Sequence, residues 1–376
     1  MTRPSKGHGT ADNPTGRFER LAYDHDAEFM QPDPEAEEEA PHPATEYFRD
    51  HTRGIIAHNE SPDVGFDASI NVYRGCSHAC SYCFARPTHE YLGLSAGLDF
   101  ETKIFVKEDA PELLRDELSK PSWKPTPLGM SGVTDPYQPI ERKLGITRKC
   151  LEVMVEFRQP VLVITKNHLV TRDVDLLAEL ATHHAAAAYL SITTLDATLA
   201  RHMEPRTSSP QKRLEAVEVL ANAGIPTGVL VAPVIPGITD HELPRIIEAA
   251  ANAGAKSAGY VMLRLPYGLK ELFEGWLDAF EPEKKEKVLS RMRALSGGKL
   301  YNSEWKTRQR GTGVYADQIK QMFRVACARH HMNEERFEVS AAAFRRPPHA
   351  GDQGDILAPK GKTASENSIT ASTSAS

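Results

Sequence analysis

Nowhere does the chain hold the roughly 18 consecutive apolar residues that a membrane-spanning helix needs, and its opening, MTRPSKGHGTADNPTGRFER, lacks the apolar core of a secretory signal. No membrane association is expected, and a cytoplasmic location is. Cysteine is scarce, at five in 376 residues. In a reducing compartment so few thiols exclude a disulfide framework and leave ligand, catalyst or core residue as their roles. An excess of positive charge is missing as well: Lys and Arg number 45 against 51 Asp and Glu. That balance argues against a protein that coats nucleic acid non-specifically. No internal repeat of roughly 20 to 50 residues occurs, so a solenoid is excluded.

What is present is the composition of an ordinary globular enzyme, 40% hydrophobic and 26% charged, at a length that suits one β/α barrel with extensions. Charge is unevenly spread. Asp33 to Glu39 (DPEAEEE) is acidic, whereas Arg291, Arg293, Lys299, Lys306, Arg308 and Arg310 are opposed only by Glu304 across that stretch. The basic stretch reads either as a solvated helix and loop or as a surface for a phosphate-bearing substrate. Residues 1–45 mix Pro, Gly and acid without periodicity, and residues 347–376 are Ser/Thr-rich, so both are expected to be disordered tails.

Between the tails, apolar and β-branched runs alternate with helical patterns, the signature of a parallel sheet built from β/α units. The runs are 68–73, 128–134, 161–165, 188–194, 227–233 and 257–265, with helices expected over 110–119, 142–157, 173–183, 210–223 and 240–253. Six units make an α/β fold, a partial (β/α)6 barrel over 46–275, followed by a mainly helical, basic extension over 276–346. In such barrels the catalytic residues gather at the C-terminal ends of the strands.

Directly after the first run comes RGCSHACSYCFARP, in which Cys76, Cys80 and Cys83 form a CxxxCxxC cluster. Thiolates favour iron-sulfur clusters and zinc over harder ions. Zinc would want a fourth ligand, for which His78, His89, Cys150 or Cys327 is available. Three ligands on one loop with no second knuckle fit a four-iron cluster with one iron open, which is the arrangement catalysis uses. Cys150 and Cys327 lie in helical patterns and read as core residues.

With Tyr82 as the aromatic residue before the third cysteine, the loop resembles the CxxxCxΦC signature of the radical S-adenosylmethionine (SAM) superfamily. The resemblance implies a partial barrel of that type and a [4Fe-4S] cluster on Cys76, Cys80 and Cys83. It also implies SAM on the open iron, cleaved to a 5′-deoxyadenosyl radical that abstracts hydrogen from substrate. Tyr82 would lie beside the adenine, where a flat apolar ring can stack. At the end of the second run, SGVTDPYQPIE, Thr134 and Asp135 would meet the SAM amine with Gly132 allowing close approach, although Asp-Pro also simply starts a turn. Lys166 and Asn167 end the third run, and that Lys reads equally as surface or as a partner for a carboxylate. Ser191 and Thr193 in YLSITTLD suit ribose hydroxyls. In MEPRTSSPQKR, Arg206 is preferred over Arg213 as a clamp on the SAM carboxylate, while a surface ion pair with Glu204 is the plainer account. Leu263, with Val231, Pro233 and Ile235, would supply apolar contacts to adenine.

The phrases SINVYRGC, CFARPTHEYLGLSAGLDFETKIF, TDPYQPIE, SITTLD, MEPR, VAPVIPG and LRLP resemble uncharacterised bacterial radical SAM proteins grouped with the spore photoproduct lyase-like "DNA repair photolyase" set, over Gly16 to His330. The lyase carries a cysteine hydrogen donor in its strand-two motif. Gly132 matches that position here and no cysteine lies between Cys83 and Cys150, so the same hydrogen-return chemistry is not expected. A related nucleic-acid reaction is, with KTRQRGTG (306–313) beside Trp305 either contacting phosphates or covering the barrel. Electrons would come from a donor of the flavodoxin or ferredoxin type. The competing readings are a zinc-stabilised nucleic-acid-binding protein and an iron-sulfur electron carrier.

Overall fold

The structure, a computed structural model, describes residues 4–18, 44–335 and 337–347. The acidic run and most of both tails lie outside those residues. Two outer strands come first, β1 (Glu46–Arg49) and β2 (Ile56–His58), then β3 (Ala68–Ile70) and β4 (Tyr73–Arg74). After the cysteine loop come the short α1 (Leu98–Thr102) and β5 (Lys103–Val106). Helices and strands then alternate: α2 (Ala110–Ser119), β6 (Leu128–Met130), α3 (Glu141–Leu144), α4 (Ile146–Phe157), β7 (Val161–Thr165), α5 (Val174–Ala181) and β8 (Ala186–Ser191). Two helices, α6 (Ala197–Met203) and α7 (Pro210–Asn222), lead to β9 (Thr227–Val234), α8 (Leu243–Asn252) and β10 (Ser257–Met262), and α9 (Leu269–Phe280), α10 (Lys285–Leu295) and α11 (Val314–Arg329) follow.

Seven strands form the main sheet in the order β10-β9-β8-β7-β6-β3-β2. β2 runs antiparallel to β3, and all other pairings are parallel. The six parallel strands correspond to the six apolar runs, and among the described residues β10 and β2 are the two edges of the sheet and do not pair with each other, so the barrel is open. A parallel sheet covered by helices needs nearly continuous apolar strands, which explains the AAAYLS of β8 and the TGVLVAPV of β9. Helices α2, α4, α5, α7 and α8 place Leu114, Leu151, Leu177, Val217 and Ile246 in one core with Val163, Leu190 and Val229 of the sheet. Helix α7 starts as its sequence suggests, with Ser209 Oγ accepting from Lys212 N at 3.3 Å and Pro210 in the first turn. Among the described residues no helix is long and apolar enough to cross a membrane.

Several boundaries differ from the sequence reading. The run 142–157 is two helices, because Gly145 turns left-handed (φ +65°) between α3 and α4. The run 68–73 divides: β3 ends at Ile70, and β4 joins a separate sheet of order β1-β5-β4. Runs two, four and six leave the sheet at Met130, Ser191 and Met262, where the chain turns to build the site. Residues 4–18 are seated on the cysteine loop, as detailed below.

The segment 302–311 bridges the two edges of the open sheet. Met262 N on β10 donates to Gln309 O at 2.9 Å, while Arg308 pairs with Asp63 at 2.5 Å in the β2–β3 connection.

Candidate active site

The cysteine loop leaves β4 at Gly75, whose φ of +77° only glycine adopts readily. A Cβ there would also meet His89 Cε1 at 2.9 Å and Phe100 O at 3.0 Å. From the exit of β6, Thr134 Oγ1 donates to Gly75 O at 2.6 Å, and buried Gln138 accepts from Ser77 N at 2.9 Å and Ser77 Oγ at 3.1 Å. Asp135 pairs with His78, Oδ2 to Nδ1 at 3.4 Å, and accepts from Thr165 Oγ1 at 2.7 Å and Lys166 N at 2.8 Å. Burial opposes both charges of that pair. Even so, the Asp135 carboxylate and Cys76 raise His78 to about 10, and His78 holds Asp135 below the usual carboxylate range.

A second brace comes from Arg86, fully buried, which donates to Cys80 O at 2.9 Å, Ala96 O at 3.1 Å and Gly97 O at 2.9 Å, and pairs with Glu101. Glu101 in turn accepts from His8 Nδ1 at 3.1 Å, Gly9 N at 3.2 Å and Thr10 Oγ1 at 3.2 Å. Residues 5–17 thereby form a strap across the loop, tied down further by Ser95 Oγ on Pro14 O at 2.8 Å and Arg17 on Glu90 at 2.5 Å.

The three thiols are free of disulfides. Burial lifts Cys80 well above its ordinary value, with Glu204 adding to the rise. Cys83 is lifted to about 11 by burial and then by Cys76. Burial thus disfavours bare thiolates at Cys80 and Cys83, a cationic centre would offset that cost, and an all-sulfur donor set suits iron-sulfur chemistry. Among the described residues no three His, Cys, Asp or Glu side chains are grouped as a preformed metal site. The fit therefore rests on donor chemistry and on the bracing of the loop. His78 is engaged by Asp135, and His89 Nε2 lies 2.9 Å from Lys103 O. Cys150 and Cys327 sit in the main core on α4 and α11, a different apolar cluster from the loop.

Beyond the loop, the ends of β7 and β8 build a buried polar network. Glu204, 2% exposed, accepts from Tyr82 Oη, from Thr193 Oγ1 at 2.7 Å and from Lys166 Nζ at 3.2 Å, and it pairs with Arg213. Lys166 also donates to Ala232 O at 3.0 Å, and burial followed by Arg213 lowers it to about 8. The Tyr82 ring shares an apolar cluster with Cys80, Leu263, Ile235 and Met203.

Of the residues singled out by sequence, Tyr82, Thr193 and Leu263 are thus brought together beside the cysteines. Thr134 and Asp135 meet the loop from the other side, with their side chains spent on Gly75 and His78. Gly132 (φ +134°) stands next to Asn71, whose Oδ1 would lie 3.7 Å from an added Cβ. Ser191 is buried, and its carbonyl accepts from Arg213 at 2.9 Å. Arg206 turns to the strap, donating to Gly7 O at 2.8 Å and Thr45 Oγ1 at 3.1 Å. Lys166, Glu204, Gln138 and His78 carry more of the site than their sequence context signals. In the basic stretch, Arg291 pairs with Asp240 at 3.0 Å, Arg308 with Asp63, and Arg310 stacks 4.0 Å from the Tyr260 ring centroid.

The sequence model of the Radical SAM superfamily matches residues 70–250 of the chain. The chain belongs to the radical SAM superfamily. The superfamily match runs from the end of β3 into α8 and so takes in the cysteine loop and the Glu204 network. An uncharacterized protein of Mycobacterium tuberculosis is 37% identical over 232 residues, 61% of this chain and 67% of that protein. The spore photoproduct lyase of Clostridium acetobutylicum is 26% identical over 166 residues, 44% of this chain and 46% of the lyase. Among solved structures, spore photoproduct lyase complexed with dinucleoside spore photoproduct superposes with a TM-score of 0.53 at 16% identity, covering 76% of this chain and 78% of the lyase. At that identity the likeness is one of fold, and it agrees with the open parallel sheet of this radical SAM protein.

Proposed function

We propose that the chain is a SAM-cleaving enzyme that carries a [4Fe-4S] cluster on Cys76, Cys80 and Cys83 and acts on nucleic acid. The observation that carries this reading is the loop of three free thiols, braced by Asp135, Gln138 and Arg86 at the C-terminal ends of the strands, beside the Tyr82–Thr193–Lys166 group. When bound, the cluster supplies the electron that cleaves SAM to methionine and a 5′-deoxyadenosyl radical.

The chain's own residues do the binding and orienting. The ammonium of Lys166 meets the SAM carboxylate, since the network of Lys166, Arg213 and Glu204 keeps one uncompensated positive charge. Thr193 and Ser191 serve the ribose, and Tyr82 and Leu263 offer apolar surface to the adenine. The buried site excludes water from a reactive radical. Electrons arrive from a flavodoxin- or ferredoxin-type donor in the cytoplasm. The nucleic-acid class is supported by the likeness to spore photoproduct lyase. Gly132 follows β6, and no cysteine lies between Cys83 and Cys150. The resemblance to the lyase-like group, in which a cysteine returns hydrogen from that motif, therefore supports a different fate for the substrate radical here.

The test is anaerobic reconstitution with iron and sulfide, then reduction and addition of SAM. 5′-Deoxyadenosine formation is expected, and protein with a full cluster that never forms it would contradict the reading.

A further inference from the structure

Glu204 follows the last residue of α6, and four side chains converge on its buried carboxylate. Oε1 accepts from Tyr82 Oη, from Thr193 Oγ1 at 2.7 Å and from Lys166 Nζ at 3.2 Å, and Oε2 accepts from Arg213. The backbone next to it grips the same loop, with Ser81 N donating to Met203 O at 2.9 Å.

Arg213 does not depend on this carboxylate for its place. It also donates to Ser208 O at 2.8 Å, Ser191 O at 2.9 Å and Thr207 Oγ1 at 2.6 Å. Glu204 joins the Tyr82 hydroxyl, 122 residues earlier in the chain, to the Lys166 ammonium just past the end of β7, and it does so with the one negative charge of the group. Thr193 Oγ1, itself donating to Glu204, bridges the same two groups at 3.2 and 3.4 Å. That ammonium stands 5.6 Å from the centroid of the Tyr82 ring. A ring free to tilt, or an ammonium free to swing among rotamers, would lose the orientation that a ligand beside the thiols requires.

We propose that Glu204 is a positioning residue for SAM, holding the Tyr82 ring and the Lys166 ammonium in the orientation that receives adenine and carboxylate, without touching SAM or substrate itself. The proposal rests on the SAM-cleaving reading above. It also gives the charge balance of the network a purpose. Two cations share one carboxylate, so one positive charge is left for an incoming carboxylate, and Glu204 keeps the site from carrying two.

Two variants, Glu204→Gln and Tyr82→Phe, are reconstituted anaerobically and reduced alongside the wild type. Bound iron is measured first, and the SAM dissociation constant is then read from the change SAM causes in the electron paramagnetic resonance (EPR) spectrum of the reduced cluster. Both variants are expected to hold as much iron as wild type. Glu204→Gln should raise the SAM dissociation constant about ten- to a hundredfold, and Tyr82→Phe about two- to tenfold. Wild-type SAM affinity in Glu204→Gln overturns the proposal. Should Glu204→Gln not fold, Tyr82→Phe decides alone, since it deletes one hydroxyl and keeps the ring: weakened binding at full iron supports the proposal, and unchanged binding overturns it. Wild-type protein that takes up its cluster yet neither binds nor cleaves SAM overturns the underlying reading instead.

Discussion

Asp135 Oδ2 lies 3.4 Å from His78 Nδ1, and this buried ion pair fastens the exit of β6 to the middle of the cysteine loop. Breaking a buried pair by neutralising one member strands the other charge and costs about 3–5 kcal/mol. Asp135→Asn should therefore lower the unfolding free energy of the metal-free protein by that order and reduce its iron uptake. Denaturant unfolding monitored by circular dichroism checks the first effect. An unchanged midpoint would remove Asp135 from the loop's support.

Each of Cys76→Ala, Cys80→Ala and Cys83→Ala should abolish cluster assembly, because no other soft ligand stands ready on the loop. Cys150→Ala and Cys327→Ala should retain it. Iron and sulfide content after reconstitution separates the two groups, and stoichiometric zinc without iron in the wild type would favour a binding protein over a radical enzyme.

The amino-terminal strap makes a steric prediction. A Cβ on Gly9 would lie 2.0 Å from Ala79 O and 3.0 Å from Ser81 N. Backbone cannot yield as a flexible side chain can, so Gly9→Ala should lift the strap from the loop at a cost of about 1–3 kcal/mol. Air-driven loss of the cluster's visible absorbance should become faster in the variant than in wild type. Equal rates would show that the strap does not shield the loop.

Acid should loosen the same contact. Burial acts to raise the pKa of Glu101, but Arg86 and His8 outweigh it and hold the carboxyl below its usual range. A depressed folded-state value stabilises the protein fully above the unfolded value of about 4.3, and that stability is lost as pH falls through the folded value. The melting temperature of metal-free wild type should thus fall more steeply below about pH 4.3 than that of Glu101→Gln. Parallel curves would mean that Glu101 carries no linked proton.

The periodicity of 110–119 reproduces α2 to the residue, and the six parallel strands fall where apolar runs do, since a parallel sheet covered by helices demands such runs. Strand ends are less legible. Residues 192–194 keep the β-branched character of β8, yet Thr193 and Thr194 direct their hydroxyls to Glu204 and Glu242 outside any ladder. The strap has no local periodicity at all. Its order comes from partners such as Glu101, 93 residues from His8. Glu204 reads as a surface residue in MEPR because nothing nearby in sequence announces Tyr82. The converse holds for KTRQRGTG, whose charge suggests phosphate but whose Arg308 is committed to Asp63 and Ser61 in closing the open edge of the sheet.

The central claim is that the cysteine loop holds a four-iron cluster with one iron open to SAM. EPR spectroscopy of the reduced, reconstituted protein with and without SAM tests it most directly. A [4Fe-4S]+ signal that changes on addition of SAM in wild type is the predicted result. A fully loaded, reduced cluster whose spectrum SAM leaves untouched would contradict the account.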